Sequence, residues 1–276
     1  MDDLVSTAWL EQQLGSPDLA ILDASLFMPG DERDPAAEFA EAHIPGARRF
    51  DIEALSDPDH TAPHMLPGAA SFGAAMAELG VAREDRIVVY DNSPLRSATR
   101  GWCMLRHYGA DRVAILDGGL AKWRAEERPV EAGEAAPRSA RFEAVERGTI
   151  VTKDMMVRGA GSPILDARGR ERFDGSMPDP RPGVAPGHIP GSRNLPFGEL
   201  YRADGTLKSE HDLAAAFETA GVDPQSAFIA TCGSGVTATS LLFAARRLGG
   251  RDARLYDGSW SEYGSDPATA KAGESA

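Results

Sequence analysis

The sequence repeats itself once over nearly its whole length. Residues 21–24, Ile-Leu-Asp-Ala, recur as residues 164–167, and the segment His-Ile-Pro-Gly occurs at residues 43–46 and again at residues 188–191. The order of these segments is the same in both halves. Because solenoid units span only about 20 to 50 residues, a repeat of this length indicates two copies of a whole domain.

Each copy shows the alternation of strand and helix that is typical of an α/β domain. Residues 87–90 and 113–116 are apolar at every position, as in strands of a parallel sheet that helices cover on both faces. Between them, residues 97–108 have helical composition and stop before Gly109, and residues 236–248 do the same in the second copy. We therefore predict an α/β protein with two doubly wound parallel-sheet domains from an internal duplication, which bind ligands at the carboxyl ends of their strands.

The predicted domain boundaries follow from the repeat and from composition. Residues 126–147 are rich in Glu, Ala, Pro and Gly and have no clear periodicity, so we interpret them as a linker. Residues 1–125 then form the N-terminal domain and residues 148–276 the C-terminal domain.

Charge and composition exclude several classes of partner. The 276 residues carry a formal net charge of −13, which argues against nucleic acid or an anionic membrane as the main partner. No stretch approaches the roughly 18 consecutive apolar residues of a membrane helix. The start, Met1-Asp2-Asp3, resembles neither a secretion signal nor a transit peptide, so we expect a cytoplasmic protein.

One of the two cysteines lies in a loop suited to nucleophilic chemistry. Cys232 opens the run Cys-Gly-Ser-Gly-Val-Thr, residues 232–237, between the predicted strand 227–230 and the following helix. A strand-to-helix turn of this kind directs backbone N–H groups into one concavity at the positive end of a helix dipole, which favours a thiolate. Cys103 lies inside a predicted helix and is interpreted as a core residue.

The duplicated domain, the two His-Ile-Pro-Gly segments and the cysteine loop resemble the tandem-rhodanese family. The loop is similar to that of its 3-mercaptopyruvate sulfurtransferase branch. The resemblance implies a sulfurtransferase with a catalytic C-terminal domain that carries sulfur as a persulfide on Cys232. It also implies a non-catalytic N-terminal domain, since Asp91 stands where the cysteine would be. The loop residues expected to cradle the persulfide are Gly233, Gly235, Val236 and Thr237.

The expected sulfur donor is 3-mercaptopyruvate. Family members that use thiosulfate have basic residues directly after the cysteine, whereas Gly233 and Ser234 are neutral here. Mercaptopyruvate offers one carboxylate and a ketone, which suit an arginine fork. Arg172 and Arg181 occupy the positions that bind the substrate carboxylate in the resembling family, in a segment that we interpret as a loop rich in Gly and Pro.

The resemblance also implies a Ser–His–Asp arrangement that the N-terminal domain completes. Ser234 and His64 match its serine and histidine, and Glu53 falls where the family has Asp. Glu53 can orient an imidazole as Asp does, although Asp51 or Asp57 can take the same part. His43 and His188, in contrast, occur in both copies, including the copy that lacks the cysteine, which indicates a role in the fold.

The implied acceptors are cyanide, small thiols or a thioredoxin-like protein, and the chemistry calls for no metal ion or organic cofactor. Two alternatives stay open: a thiosulfate sulfurtransferase and a non-catalytic rhodanese module that binds other proteins. A cysteine phosphatase is rejected, because its Cys-x5-Arg loop needs an arginine where this chain has Ala238.

Overall fold

The computed structural model of the chain describes residues 1–133, 135, 138–159 and 161–273. The chain divides into two compact units, each built on a five-stranded parallel sheet. Within the described ranges, no helix combines the length and the apolar character that a bilayer crossing requires.

The first unit comprises residues 1–56, 66–148 and 203–207. Its strands are β1 (Leu4–Val5), β2 (Leu19–Asp23), β3 (Ala47–Arg49), β4 (Arg86–Tyr90) and β5 (Val113–Leu116), in the spatial order β1-β5-β4-β2-β3. Its helices are α1 (Thr7–Gln13), α2 (Pro35–Glu41), α3 (Ala69–Glu78), α4 (Ala98–His107) and α5 (Gly119–Ala125).

The second unit comprises residues 57–65, 149–202 and 208–276. Its strands are β6 (Ile150–Val151), β7 (Ile164–Asp166), β8 (Arg193–Asn194), β9 (Ile229–Thr231) and β10 (Arg254–Tyr256), in the order β6-β10-β9-β7-β8. Its helices are α6 (Lys153–Val157), α7 (Arg170–Asp174), α8 (Glu210–Thr219), α9 (Ala238–Arg247) and α10 (Ser259–Tyr263), with a 3-10 turn at Phe197–Leu200.

The two sheets have the same topology, as the internal repeat predicts. The central strands are β4 and β9, and each leads into the most buried helix of its unit. Every residue of α4 except Arg106 is buried, and so is every residue of α9 except Arg246 and Arg247. The loop between a central strand and a buried helix lies at the carboxyl edge of the sheet, where the order of strands reverses and ligands of such folds bind.

Local sequence signals explain where several helices begin. Ser209 accepts a hydrogen bond from the N–H of Asp212 and so caps α8. Asp34 caps α2 in the same way, with Pro35 in the first helical position. Side chains of this type satisfy N–H groups that the first helical turn leaves without a partner, and proline needs none there.

The histidines that recur in both copies have the same structural role. His43 Nδ1 lies 2.7 Å from the carbonyl oxygen of Phe39, and its ring stacks on that phenylalanine at 4.1 Å. His188 makes the same two contacts with Phe173, at 2.7 Å and 3.9 Å. Each histidine thereby joins a helix to the turn that follows, which agrees with the predicted role in the fold.

Neither unit is a continuous stretch of sequence, whereas the predicted domains are. Residues 57–65 belong to the second unit, and the backbone bond from Asp57 N–H to the Met65 carbonyl, 2.8 Å, closes that segment. Residues 203–207 belong to the first unit, where the N–H of Leu207 donates to Asp117 Oδ1 at 2.9 Å. The expected boundaries, residues 1–125 and 148–276, place each of these short segments with the other half of the chain.

Candidate active site

The cysteine loop follows the central strand of the second unit. Strand β9 ends at Thr231, helix α9 begins at Ala238, and residues 232–237 form the turn between them. Cys232 is buried, with 1% of its surface exposed. Gly235 has φ +74°, a left-handed conformation that glycine adopts without steric cost. The turn thus has the strand-to-helix geometry that the sequence predicts.

The start of α10 holds the first two residues of this loop. The N–H of Trp260 donates to the Cys232 carbonyl at 3.0 Å. The N–H and the hydroxyl of Ser261 both donate to the Gly233 carbonyl, at 2.8 Å and 2.5 Å. In the opposite direction, the N–H of Cys232 donates to Ser259 Oγ at 3.2 Å. Neither Ser259 nor Ser261 is among the residues predicted from the sequence, although the Asp-Gly-Ser-Trp run that contains Ser259 recurs as Asp-Gly-Gly-Leu in the first copy.

Two arginines lie beside the loop. A Cβ atom added to Gly233 would lie 3.2 Å from Arg172 Nη2 and 3.4 Å from Arg181 Nη1, so both guanidinium groups face this glycine. The prediction that Arg172 lies in a loop is wrong, because it lies in the short helix α7. Arg181 lies in the segment after α7, as predicted. Burial lowers the pKa of Arg181 below its usual value, and the negative charges of Asp179 and Cys232 oppose that shift.

A carboxylate that the sequence analysis overlooked holds both arginines. Asp179 Oδ2 accepts from Arg172 Nη2 at 2.5 Å, and Asp179 Oδ1 accepts from the backbone N–H of Arg181 at 3.0 Å. Arg181 Nη1 lies 3.9 Å from the same Oδ1. Only 2% of the Asp179 side chain is exposed.

Ser234 connects the arginine pair with His64. Its Oγ accepts from Arg181 Nη2 at 3.1 Å and lies 2.9 Å from His64 Nδ1. Because a guanidinium group can only donate, the hydroxyl proton of Ser234 is free to point toward His64 Nδ1. His64 belongs to the segment 57–65 of the second unit and has φ +62°. The serine and the histidine predicted from the resemblance are therefore in hydrogen-bonding contact.

The acidic partner of His64 stays a prediction. Glu53 belongs to the first unit, and its N–H donates to Asp51 Oδ1 at 3.1 Å. Asp51 also pairs with Arg49 at 2.8 Å. Asp57, unlike Glu53 and Asp51, belongs to the same unit as His64.

In the corresponding loop of the first unit, a carboxylate lies at the position of the cysteine. Asp91 is buried and accepts from the N–H groups of Ser93 and Ala98, at 3.2 Å and 2.7 Å. The N–H of Leu120 donates to the Asp91 carbonyl at 2.9 Å, as that of Trp260 does to Cys232. Burial raises the pKa of Asp91 to about 6. The two loops thus share this backbone hydrogen bond, but the first has Asp91 in place of the cysteine.

The other cysteine lies away from any such loop. Cys103 is a buried residue of α4, as predicted. Across the residues that the structure describes, no three or more His, Cys, Asp or Glu side chains are grouped so that they can hold a metal ion.

Comparison with protein families decides the classification. The model of the rhodanese-like domain matches twice, over residues 6–126 and 151–266. The chain belongs to the rhodanese family. The predicted tandem of two rhodanese-like α/β domains is therefore confirmed.

Individual rhodanese relatives indicate the branch. A 3-mercaptopyruvate sulfurtransferase of Escherichia coli is 43% identical over 265 residues, which cover 94% of each chain. A thiosulfate sulfurtransferase of Rattus norvegicus is 39% identical over 271 residues, which cover 94% of this chain and 91% of the relative. The crystal structure of the Escherichia coli protein SseA matches with a TM-score of 0.85 at 40% identity, over 95% of this chain and 100% of that one. The Escherichia coli relative and the SseA structure agree with the predicted 3-mercaptopyruvate sulfurtransferase branch of the rhodanese family, whereas the rat relative is named for thiosulfate.

Proposed function

We propose that this rhodanese transfers sulfur from 3-mercaptopyruvate to a thiol or to cyanide through a persulfide on Cys232, with release of pyruvate. Membership of the family supports sulfur transfer as the reaction class. The observation that carries the choice of donor is the arginine pair beside Gly233, because it supplies a carboxylate-binding fork one residue from the nucleophile.

The fork suits a donor with one carboxylate. Arginine presents planar N–H donors that match a carboxylate in a bidentate manner. Arg172 Nε is buried and has no hydrogen-bond partner among the described residues, so this group keeps a donor for a ligand. In this proposal, Arg172 and Arg181 bind the carboxylate of mercaptopyruvate and bring its sulfur to Cys232.

The chemical step then moves one sulfur atom. The Cys232 thiolate attacks the donor sulfur, the carbon–sulfur bond breaks, and its electron pair leaves as the enolate of pyruvate. The proton of the donor thiol is transferred to the enolate carbon, which gives pyruvate and the persulfide Cys–S–S⁻. Ser234 and His64, at 2.9 Å from each other, form a relay for this proton, and Glu53 is proposed to orient the imidazole. N–H groups of residues 233–237 stabilise the persulfide anion.

The second half of the cycle restores the thiolate. Cyanide attacks the outer sulfur of the persulfide and leaves as thiocyanate, and a thiol leaves in the same way as its own persulfide. Small thiols and a thioredoxin-like protein are the proposed acceptors, and the cytoplasm is the proposed compartment, which cell fractionation tests.

The first experiment compares donors on the intact protein. Pyruvate and thiocyanate are measured with mercaptopyruvate and with thiosulfate, for wild type, Cys232→Ser and the matched control Cys103→Ser. We expect a preference for mercaptopyruvate, loss of turnover in Cys232→Ser and full turnover in Cys103→Ser. An adduct of one sulfur on Cys232, detected by mass spectrometry, identifies the intermediate.

The remaining outcomes decide between the alternatives. A preference for thiosulfate would be consistent with the persulfide but would rule out mercaptopyruvate as the donor. The similarity to a rat thiosulfate sulfurtransferase makes this activity the nearest alternative. Activity with neither donor, together with no sulfur adduct, would favour the non-catalytic binding module.

A further inference from the structure

Asp179 places a buried negative charge behind the two arginines that face the cysteine loop. Its two carboxylate oxygens contact Arg172 and the backbone of Arg181, and its side chain is 2% exposed. A lone surface ion pair would contribute little. Here, however, one carboxylate contacts both cations, and Arg181 continues to Ser234 at 3.1 Å.

The charge of this cluster can be counted directly. Arg172 and Arg181 contribute two positive charges and Asp179 one negative charge, so these three side chains leave a single excess positive charge. The Cys232 thiolate of the proposed mechanism adds a negative charge that is the same in every Asp179 variant, so it does not affect the comparison between variants. Mercaptopyruvate binds as a thiol with one carboxylate, which the excess positive charge compensates. Thiosulfate carries two negative charges on one compact ion, and in a half-buried site the second charge is left without compensation.

We propose that Asp179 is a specificity-determining residue, which favours a monoanionic over a dianionic sulfur donor by cancelling one of the two arginine charges. This inference rests on the proposed function and adds the charge of the donor as the selected property. Asp179 acts through the two arginines and is a positioning residue, not a catalytic one.

The expected effect follows from the charges on the donor. Removing the charge of Asp179 relieves its repulsion with every negative charge of a bound donor, so a dianion gains about twice the free energy that a monoanion gains. Any loss from displaced arginines would weaken binding of the dianion more than that of the monoanion, so it would lower the ratio of their kcat/KM values, opposite to the expected rise. A charge within about 4–6 Å shifts an ionic equilibrium by about one to three powers of ten. We therefore expect the thiosulfate-to-mercaptopyruvate ratio to rise about tenfold.

The test measures this ratio for wild type, Asp179→Asn and Asp179→Glu. The neutral variant should raise the ratio about tenfold, whereas Asp179→Glu keeps the charge and should stay within about twofold of wild type even if both rates fall. Asp174→Asn is the matched control, because it removes one negative charge from the same segment, where Asp174 contacts Ser176. Its ratio should also stay within about twofold of wild type. If Asp179→Asn does not fold, Asp179→Gln replaces it and is judged against Asp179→Glu.

A binding measurement without turnover provides a second readout. In the Cys232→Ser background, pyruvate serves as the monoanionic probe and thiosulfate as the dianionic probe, and calorimetry gives both dissociation constants. The ratio of these constants should shift about tenfold toward thiosulfate when Asp179 is neutralised.

The two proposals fail in different measurements. A wild type that releases no pyruvate from mercaptopyruvate overturns the proposed function. An active wild type whose donor ratio is the same in Asp179→Asn, or changes equally in Asp179→Glu, overturns the role of Asp179 alone.

Discussion

Ser259 provides the sharpest test of how the cysteine loop is positioned. It is fully buried and has φ +49°, a conformation that costs an L-residue about 1–2 kcal/mol. Its hydroxyl accepts the N–H of Cys232 at 3.2 Å and donates to the Tyr256 carbonyl at 2.8 Å. The first copy has Gly119 at this place, with φ +58°, so glycine is compatible with the backbone. We infer that serine is present at this position, despite the strain, because its hydroxyl binds the N–H of Cys232.

Two substitutions separate the effect of removing the hydroxyl group from the effect of relieving the backbone strain. Both Ser259→Ala and Ser259→Gly leave the buried N–H of Cys232 without its acceptor, which costs about 1–3 kcal/mol. Only Ser259→Gly relieves the left-handed strain, so it should be about 1 kcal/mol more stable than Ser259→Ala. If the hydroxyl positions Cys232, both variants should form the persulfide about tenfold more slowly, since small displacements of reacting atoms carry large rate penalties.

The assay combines urea unfolding with single-turnover persulfide formation from mercaptopyruvate. Ser261→Ala is the control, because the Gly233 carbonyl keeps its bond from the Ser261 N–H and the rate should stay within about threefold of wild type. A Ser259→Gly protein that forms the persulfide at the wild-type rate would refute the positioning role, whatever its stability.

Three further predictions concern both loops. Burial raises the pKa of Asp91 from 3.8 to about 6. The carboxyl group is therefore protonated in both the folded and the unfolded protein below about pH 4. Between about pH 4 and pH 6 only the unfolded protein loses this proton, so the free energy of unfolding falls as pH rises. The free energy of unfolding of Asp91→Asn, measured in urea relative to wild type, should therefore increase by about 3 kcal/mol from pH 4 to pH 7. A difference from wild type that does not change with pH would contradict this. Gly119→Ala should lose about 2–4 kcal/mol of unfolding free energy, because its Cβ would collide with the Asp91 carbonyl at positive φ; unchanged stability would disprove the collision. His64→Gln should lower kcat about 100-fold with little change in KM, and a loss confined to KM would indicate a binding role.

The sequence predicts the parts of the fold that local patterns encode. Apolar runs and helical composition locate the central strands and the buried helices α4 and α9, and the glycines of residues 232–237 locate the turn between strand and helix. The repeat predicts the matching order of strands, because two copies of one pattern fold to one topology.

The residues that position the site escape such reasoning. In the sequence, the Asp-Pro-Arg run that contains Asp179 is typical of an exposed loop with surface charges. The burial of Asp179 depends on how the residues after α7 pack, which no local pattern indicates. Ser259 acts through a backbone N–H that lies 27 residues away in sequence. His64 and Ser234 are separated by 170 residues, and only the family resemblance brings them together before the structure is known.

The discontinuous segments have a consequence for anyone who wishes to divide this protein. A cut within residues 126–147 yields an N-terminal piece that keeps residues 57–65, including His64, and a C-terminal piece that keeps residues 203–207. Each piece then carries a short part of the other unit, and the piece with Cys232 lacks the histidine that contacts Ser234. The histidine of the second unit thus comes from the first half of the chain, so the piece with Cys232 is expected to transfer sulfur about as slowly as the His64→Gln protein.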